Sequence, residues 1–199
     1  MTEHDINKRE SLKFLAVNGL LVAMPAMPAI AATDLSALTA IAPILRTGGC
    51  VVILRHAQTV PGIGDPPNFS LSQCSTQRNL SDDGKAQATR IGQWFKTSNL
   101  QPRSIQTSAW CRCKDTAELA FGKYTELAAL NSTFENRADQ EAQTKALRTR
   151  LGYLRANQFE VWVTHQVNIT ALVGEFTGMG EALVINNKAK VLARAMFAG

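Results

Sequence analysis

The chain has 199 residues and a formal net charge of +5, with 45% hydrophobic and 19% charged residues. A chain of this length can bury the core of one domain, and its composition excludes the disordered and collagen-like classes. The modest positive charge suits an acidic ligand, but the sequence has no polybasic block of the kind that binds nucleic acid. We therefore expect a small anionic partner and no nucleic acid.

Residues 1–31 have the pattern of a cleavable export signal. Basic residues precede an apolar run, and Ala29 and Ala31 form a small-residue cleavage site. The segment 7–13 resembles a twin-arginine signal in which lysine replaces the first arginine. Two prolines and an asparagine interrupt the apolar run, which is shorter than the roughly 20 residues of a membrane span. We expect the export machinery to be a partner, and residues 32–199 to form a single periplasmic or otherwise exported domain without a stable membrane anchor.

A strand predicted at residues 50–55 is followed directly by His56. Its run of three β-branched residues and a leucine is typical of a strand that is buried on both faces. In α/β sheets, ligands bind at the carboxyl ends of such strands. A cationic Arg55 beside a nucleophilic imidazole therefore suits a phosphorylated ligand, although such a pair alone is also the ordinary composition of a solvated strand end.

Helix and strand patterns alternate along the rest of the chain. In order, the sequence predicts a short helix or irregular segment at 32–49, the strand at 50–55, a polar loop at 61–79, a helix capped by Ser81 and ending near Thr97, a strand at 104–107, a helix capped by Ser108 and ending at Phe121, a strand at 126–130, a helix at 138–156, a strand at 160–164, a helix closed by Gly178, and two edge strands near 183–185 and 191–196. This alternation predicts a three-layer α/β/α sandwich with a mostly parallel central sheet.

Both histidines of the mature chain, His56 and His165, directly follow a predicted strand. A single histidine is more often a satisfied core residue than a catalytic one, but two at strand ends indicate a site when Arg55 and Arg112 accompany them. Arg112 lies in the first turn of a predicted helix, where backbone N–H groups attract anions. Arginine binds phosphate through two parallel hydrogen bonds, and neutral imidazole can accept a phosphoryl group. These residue types predict phosphoryl transfer without a metal or cofactor.

Four motifs resemble those of the histidine phosphatase superfamily. They are Arg-His-Ala-Gln-Thr at 55–59, Asn-Leu-Ser-Asp-Asp-Gly-Lys-Ala-Gln-Ala at 79–88, Thr-Ser-Ala-Trp-Cys-Arg with Asp-Thr-Ala at 107–117, and Val-Thr-His at 163–165. The resemblance spans about residues 51–174, and it implies a phosphoglycerate mutase-like fold with His56 as the phosphorylated nucleophile. The phosphate pocket that it implies is completed by Arg55, Arg112 and His165, with Thr59 and Arg78 as further contacts.

The proton donor is the part of the family pattern that this chain lacks. Members of the acid phosphatase branch have an aspartate directly after the second histidine, where Gln166 stands here, and mutase-like members use a glutamate from the middle of the chain. Glu135 and Asp139 are the candidates, and we prefer Glu135, although acidic residues before a helix also serve as caps or dipole partners. A missing donor would suit a substrate with a good leaving group, such as phosphohistidine.

Four cysteines in an exported chain indicate disulfide bonds. Three full pairings are possible, and we favour a bond between Cys74 and Cys111, with Cys50 buried and free. That bond would hold the long loop beside Arg112. Cys111 and Cys113 would point to different faces of a helix, so we expect no metal site there.

Within the superfamily, the chain resembles small exported members that act on lipopolysaccharide core heptose phosphate, and short phosphohistidine phosphatases. The region from Asp65 to Leu80 favours the exported type. We therefore expect a metal-independent phosphomonoester hydrolase that forms a phosphohistidine on His56 and acts on a periplasmic sugar phosphate or similar small substrate. The alternative is an exported anion-binding protein with this fold but little or no turnover, which the lack of a proton donor would explain.

Overall fold

The computed structural model describes residues 35–62 and 64–197, so the predicted signal at 1–31 lies outside the described residues. The helices are α1 (Leu35–Thr47), α2 (Asp82–Thr97), α3 (Cys111–Phe121), α4 (Gln140–Leu151) and α5 (Gln166–Val173). The strands are β1 (Cys50–Arg55), β2 (Ser104–Thr107), β3 (Thr125–Glu126), β4 (Phe159–Thr164), β5 (Glu181–Asn186) and β6 (Val191–Met196). No helix in the two described ranges is long and apolar enough to cross a membrane.

The six strands form one sheet in the order β3-β2-β4-β1-β5-β6. The first four strands of this order pair in parallel, whereas β5 and β6 pair antiparallel. The predicted mostly parallel sheet is therefore confirmed. The prediction of two final edge strands is wrong for β5, because this strand lies between β1 and β6. Its run of buried residues from Ala182 to Ile185 fits that internal position.

Alternate residues of β1 face two separate cores. Val52 and Leu54 pack with buried residues of α1, α2 and α3, whereas Val51 and Ile53 pack with those of α4 and α5. A continuous apolar run is what a strand needs when helices cover both faces of its sheet. The predicted three-layer α/β/α arrangement is confirmed, and β1 lies inside it.

The predicted start of α2 is also confirmed. Ser81 Oγ accepts a hydrogen bond from the backbone N–H of Gly84 at 3.1 Å. Glycine is required at this position, because a Cβ on Gly84 would lie 1.8 Å from the carbonyl oxygen of Gln58. The first turn of α2 therefore packs directly against the segment that follows His56.

The start of α3 differs from the prediction. Ser108 is not its N-cap, because the helix begins at Cys111 with Trp110 in the cap position. The Ser108 hydroxyl instead bonds to His165 at 2.8 Å. The residue that the sequence assigns to a helix end thus lies at the end of β2.

Two later elements also end at other residues than predicted. The segment 126–130 is not one strand, because Thr125–Glu126 forms β3 and Ala128–Leu130 forms a single 3₁₀ turn. α5 ends at Gly174 rather than at Gly178. Gly174 has a left-handed φ of +78°, a conformation that closes helices and that glycine adopts without strain.

Candidate active site

Three neighbouring parallel strands, β1, β4 and β2, end at one edge of the sheet and place His56, His165 and Ser108 there. Backbone hydrogen bonds continue the sheet at this edge. The N–H of His56 donates to Thr164 O at 3.0 Å, and the N–H of Ser108 donates to Val163 O at 3.1 Å. Both histidines are buried, with 3% and 4% of their surface exposed. Their proximity therefore follows from strand order and register.

A cavity of about 320 Å³ opens at this edge. It brings together residues from five separate segments that the sequence assigned to the site. These are Arg55, His56, Arg78, Arg112, Glu135 and His165. Asp65, Trp110, Phe134 and Gln166 also contribute to the lining.

The neighbour of His56 in sequence sets its tautomer, and its buried surroundings set its protonation state. Its Nδ1 lies 2.8 Å from the carbonyl oxygen of Ala57. A carbonyl oxygen only accepts, so Nδ1 carries the ring proton and Nε2 keeps its lone pair. Burial, followed by the charges of Arg112, Arg55 and Arg78, lowers the pKa of His56 to about 3. The imidazole is therefore neutral at neutral pH and has an unprotonated nitrogen.

His165 is held beside His56 by several contacts. Its Nε2 is hydrogen-bonded to Ser108 Oγ at 2.8 Å, which fixes the ring orientation. The centroid of its ring lies 5.3 Å from that of Trp110 and 5.5 Å from that of His56. Burial and then the charge of Arg112 lower the pKa of His165 well below its ordinary value. It is a second neutral imidazole next to the first.

The three cavity arginines use the same nitrogen to bind the protein. Each donates from Nη1 to an acceptor of the protein, and each has a buried Nε without a hydrogen-bond partner among the described residues. Because Nη1 is occupied, the Nε–Nη2 edge of each guanidinium is the edge that suits a bidentate anion. The pairs are Arg55 with Thr177 O at 2.7 Å, Arg78 with Gly62 O, and Arg112 with Asp65 Oδ1 at 2.8 Å.

The electrostatics of the cavity favour a multiply charged anion. Burial, and then repulsion by the neighbouring guanidinium groups, lowers the pKa of both Arg55 and Arg78. Arginine nevertheless stays charged at neutral pH, and the Asp65 carboxylate offsets only one of the three positive charges, so an entering anion relieves the remaining repulsion. The cavity thus combines two neutral imidazoles with three fixed cations. This arrangement can bind a phosphoryl group and attack it with a nitrogen nucleophile.

A disulfide bond joins Cys74 to Cys111, which is the pairing that the sequence favoured. Cys50 is buried and free, as expected, and Cys113 is also buried and free. Burial raises the pKa of Cys50 to about 11 and that of Cys113 to about 12, so neither is a reactive thiolate at neutral pH. Within the described ranges, no three His, Cys, Asp or Glu side chains are grouped as metal ligands would be. The disulfide fixes the loop after β1 to the first turn of α3.

The structure does not bring two of the candidate residues to the cavity. Thr59 forms a β-bridge with Leu80, and its hydroxyl contacts Met179 Sδ at 3.6 Å, so it is absent from the cavity lining. Asp139 is exposed and accepts a hydrogen bond from Asn136 Nδ2 at 2.9 Å.

Glu135 and Gln166 line the cavity, but they differ in what they can do. Both ends of the Gln166 amide already have hydrogen-bond partners within the protein. Its Oε1 accepts from Thr177 N–H at 2.8 Å, and its Nε2 donates to Thr170 Oγ1 at 2.6 Å. An amide also has no acidic proton to transfer. Glu135 is therefore the better placed of the two for proton transfer to a leaving group.

The roles of Asp65 and Ser108 do not follow from the local sequence pattern. Asp65 contacts Arg112, which lies 47 positions further along the chain, and no local pattern specifies such a contact. Serine is a common N-cap residue, so the sequence predicts Ser108 at the start of a helix rather than at the end of β2. The one available signal was that Ser108 directly follows a predicted strand, as do His56 and His165.

Comparison with known proteins gives a family match and several structural matches. Residues 51–132 match the histidine phosphatase superfamily (branch 1), a range that includes Arg55, His56 and Arg112 but ends before His165. A phosphoglycerate mutase from Thermus thermophilus is similar in structure, with 20% identity and a TM-score of 0.52, over 73% of this chain and 98% of that chain. A protein from Agrobacterium tumefaciens that carries the name of the phosphohistidine phosphatase SixA has 18% identity and a TM-score of 0.50, over 73% of this chain and 97% of that chain.

Identities this low show a shared fold alone, and no curated protein sequence matches the chain. The family match covers three of the four motifs on which the sequence resemblance rests. The match over residues 51–132 confirms the resemblance to the histidine phosphatase superfamily for that part of the chain, and the phosphoglycerate mutase-like fold is the fold that the resemblance implies.

Proposed function

We propose that this protein is a metal-independent phosphomonoester hydrolase that works through a phosphohistidine on His56. The superfamily match supports phosphatase activity. The observation that carries the proposal is the bond between His56 Nδ1 and Ala57 O, because it leaves Nε2 unprotonated in a cavity with three arginines. A neutral, oriented imidazole is the form that can attack phosphorus.

In the first step, the lone pair of His56 Nε2 forms a bond to phosphorus while the bond from phosphorus to the leaving-group oxygen breaks. The electron pair of the broken bond goes to that oxygen, which takes the proton of Glu135. The remaining phosphoryl oxygens are bound by the Nε–Nη2 edges of the cavity arginines. These fixed donors stabilise the charge of the transition state without having to reorganise.

In the second step, water attacks phosphorus and the bond between phosphorus and His56 Nε2 breaks. The electron pair of that bond returns to Nε2, and the Glu135 carboxylate accepts a proton from the water. The products are inorganic phosphate and the alcohol of the substrate. The side chains thus return to their starting protonation states after each turnover.

A small phosphorylated substrate, such as a sugar phosphate, fits the dimensions and lining of the cavity. Its volume of about 320 Å³ is at the lower end of the range for small-molecule sites. Phe134, which is 57% exposed, offers apolar surface to the part of the substrate that leaves.

An exported, periplasmic location belongs to the same proposal. The Cys74–Cys111 disulfide supports it, because such bonds persist in oxidising compartments. The intact mass of the protein recovered from the periplasm tests this location. A mass that corresponds to a chain starting at Ala32 is the expected result, and an uncleaved cytoplasmic protein would contradict it.

Hydrolysis of an aryl phosphate in the presence of a chelator tests the activity, with the wild type and His56→Asn. The asparagine amide can still donate to Ala57 O, but it has no nucleophilic nitrogen, so it is a close match to histidine. We expect chelator-resistant turnover that the variant loses. Phosphate binding without any turnover in the wild type would instead favour the anion-binding alternative.

A further inference from the structure

Asp65 is a buried carboxylate of the cavity that the reaction described above does not use. Its side chain is 6% exposed, as is that of its partner Arg112. A buried carboxylate is stable only where hydrogen-bond donors replace the water that it has lost. The identity of those donors therefore indicates what Asp65 does.

The contacts of Asp65 all come from donors. Arg112 Nη1 lies 2.8 Å from Oδ1 and 3.0 Å from Oδ2. Trp110 Nε1 lies 3.2 Å from Oδ2, and the backbone N–H of Arg78 lies 2.9 Å from Oδ1. Guanidinium, indole and backbone N–H groups donate and do not accept, so they fit an acceptor carboxylate rather than a proton donor.

These contacts determine the orientation of Arg112. Both oxygens of Asp65 bind Nη1, and the Nε of the same guanidinium is buried without a partner among the described residues. The Nε–Nη2 edge is therefore the edge that can bind two phosphate oxygens. The side-chain hydrogen bonds that the structure gives Arg112 are both to Asp65, so this carboxylate alone fixes the plane of the guanidinium through hydrogen bonds within the described ranges.

Asp65 is itself fixed by the junction between its loop and α3. The disulfide between Cys74 and Cys111 joins the two segments, and Gln77 Oε1 accepts from the N–H of Cys111 at 2.9 Å. Cys111 directly precedes Arg112 in the chain. The carboxylate and the guanidinium thus lie on segments that are bonded to each other twice near their point of contact.

We propose that Asp65 is a positioning residue that directs the Nε–Nη2 edge of Arg112 at the phosphoryl group. The inference rests on the proposed hydrolase function. A misdirected guanidinium would still attract phosphate by its charge, but it would not match the phosphoryl oxygens of the transition state. Loss of Asp65 therefore lowers kcat more than it weakens the binding of phosphate.

Aryl phosphate kinetics of Asp65→Asn and Asp65→Glu test this inference. The amide of Asp65→Asn turns a donor towards Arg112 or Trp110, so we expect kcat and kcat/KM to fall together by about 100-fold. Inhibition by inorganic phosphate should change much less. Asp65→Glu keeps two acceptor oxygens on a longer side chain and should recover part of the lost kcat.

Glu160→Gln is a matched control variant. Glu160 also accepts from an arginine and an indole, with Arg150 Nε at 3.1 Å and Trp162 Nε1 at 2.9 Å. It lies near the start of β4, whereas His165 follows the end of that strand. We expect this variant to have a lower Tm and an unchanged kcat, which is the pattern that a merely structural carboxylate would give.

An unchanged kcat in folded Asp65→Asn would overturn the inference and leave the proposed function intact. If Asp65→Asn does not fold, Asp65→Ser decides the question, because it also removes the carboxylate: a kcat equal to that of the wild type overturns the inference, and a reduced kcat with unchanged phosphate inhibition supports it. A wild type that binds inorganic phosphate in calorimetry but hydrolyses no aryl phosphate would overturn the proposed function, and the inference with it.

Discussion

The imidazole rings of His56 and His165 lie edge to face, with their centroids 5.5 Å apart and their planes at 65°. The pairing of β1 with β4 produces this proximity, because Arg55 and Thr164, the residues that precede the two histidines, are partners in the strand register. Both rings are buried, and the charge of Arg112 disfavours a proton on either. The cavity therefore has neutral imidazoles at its base and cationic groups around them.

The lowered pKa of His56 makes the stability of the fold depend on pH. Its folded value of about 3 lies below the value of about 6.5 in an unfolded chain, so the unfolded chain takes up the extra proton as the pH falls. The contribution of His56 to the free energy of unfolding keeps its full value above about pH 6.5. It falls progressively as the pH decreases towards about 3, by up to about 1.4 kcal/mol per pH unit. His165 contributes with the same sign.

Urea unfolding between about pH 7 and pH 5 measures this effect. The free energy of unfolding should fall with pH less steeply in His56→Asn than in the wild type, because the variant lacks one of the two titrating groups. Equal slopes for the two proteins would contradict a buried, neutral His56.

Replacing Arg55 by lysine should lower kcat/KM by about 100- to 1000-fold, the usual effect of losing one transition-state donor. Lysine is a point charge, so it cannot bond to Thr177 O and bind phosphate with two parallel bonds as the guanidinium does. Arg155→Lys is the control, because Arg155 is exposed and absent from the cavity lining. Aryl phosphate kinetics that are equal for the two variants would remove Arg55 from the site.

Replacing Glu135 by glutamine should affect substrates according to their leaving groups. An alkyl phosphate needs protonation of its leaving oxygen, so the rate at which it phosphorylates His56 should fall by about 100-fold or more, whereas the same first step with an aryl phosphate should be much less affected. Asp139→Asn is the control, since Asp139 lies outside the cavity lining. Equal losses on both substrates, or the same pattern in Asp139→Asn, would show that Glu135 is not the proton donor.

Removing the Cys74–Cys111 disulfide should lower both stability and kcat. The bond closes a loop across 37 positions, for which chain entropy gives a stabilisation of about 3–4 kcal/mol. Its loss also frees the loop that carries Asp65. A reductant should therefore lower the Tm and kcat of the wild type, while a Cys74→Ala, Cys111→Ala double variant should not respond. A reductant effect of equal size in that double variant would assign it to another group.

The parts of the site that depend on local sequence patterns were the most predictable. The apolar run of β1 and the histidine after it identify one strand end, and the segment around His165 identifies another. Contacts between distant segments were not predictable in this way, since Asp65 reaches Arg112 through the path of a loop without regular structure. The internal position of β5 was missed for a related reason, because strand order depends on long-range pairing.

The most direct test of the account is mass spectrometry of the protein after rapid mixing with an aryl phosphate and quenching in alkali, in which phosphohistidine survives. We expect one phosphoryl group on the peptide that contains His56, its loss on acid treatment, and its absence in His56→Asn. A phosphoryl group on any other residue, or wild-type turnover in His56→Asn, would contradict the assignment of His56 as the nucleophile.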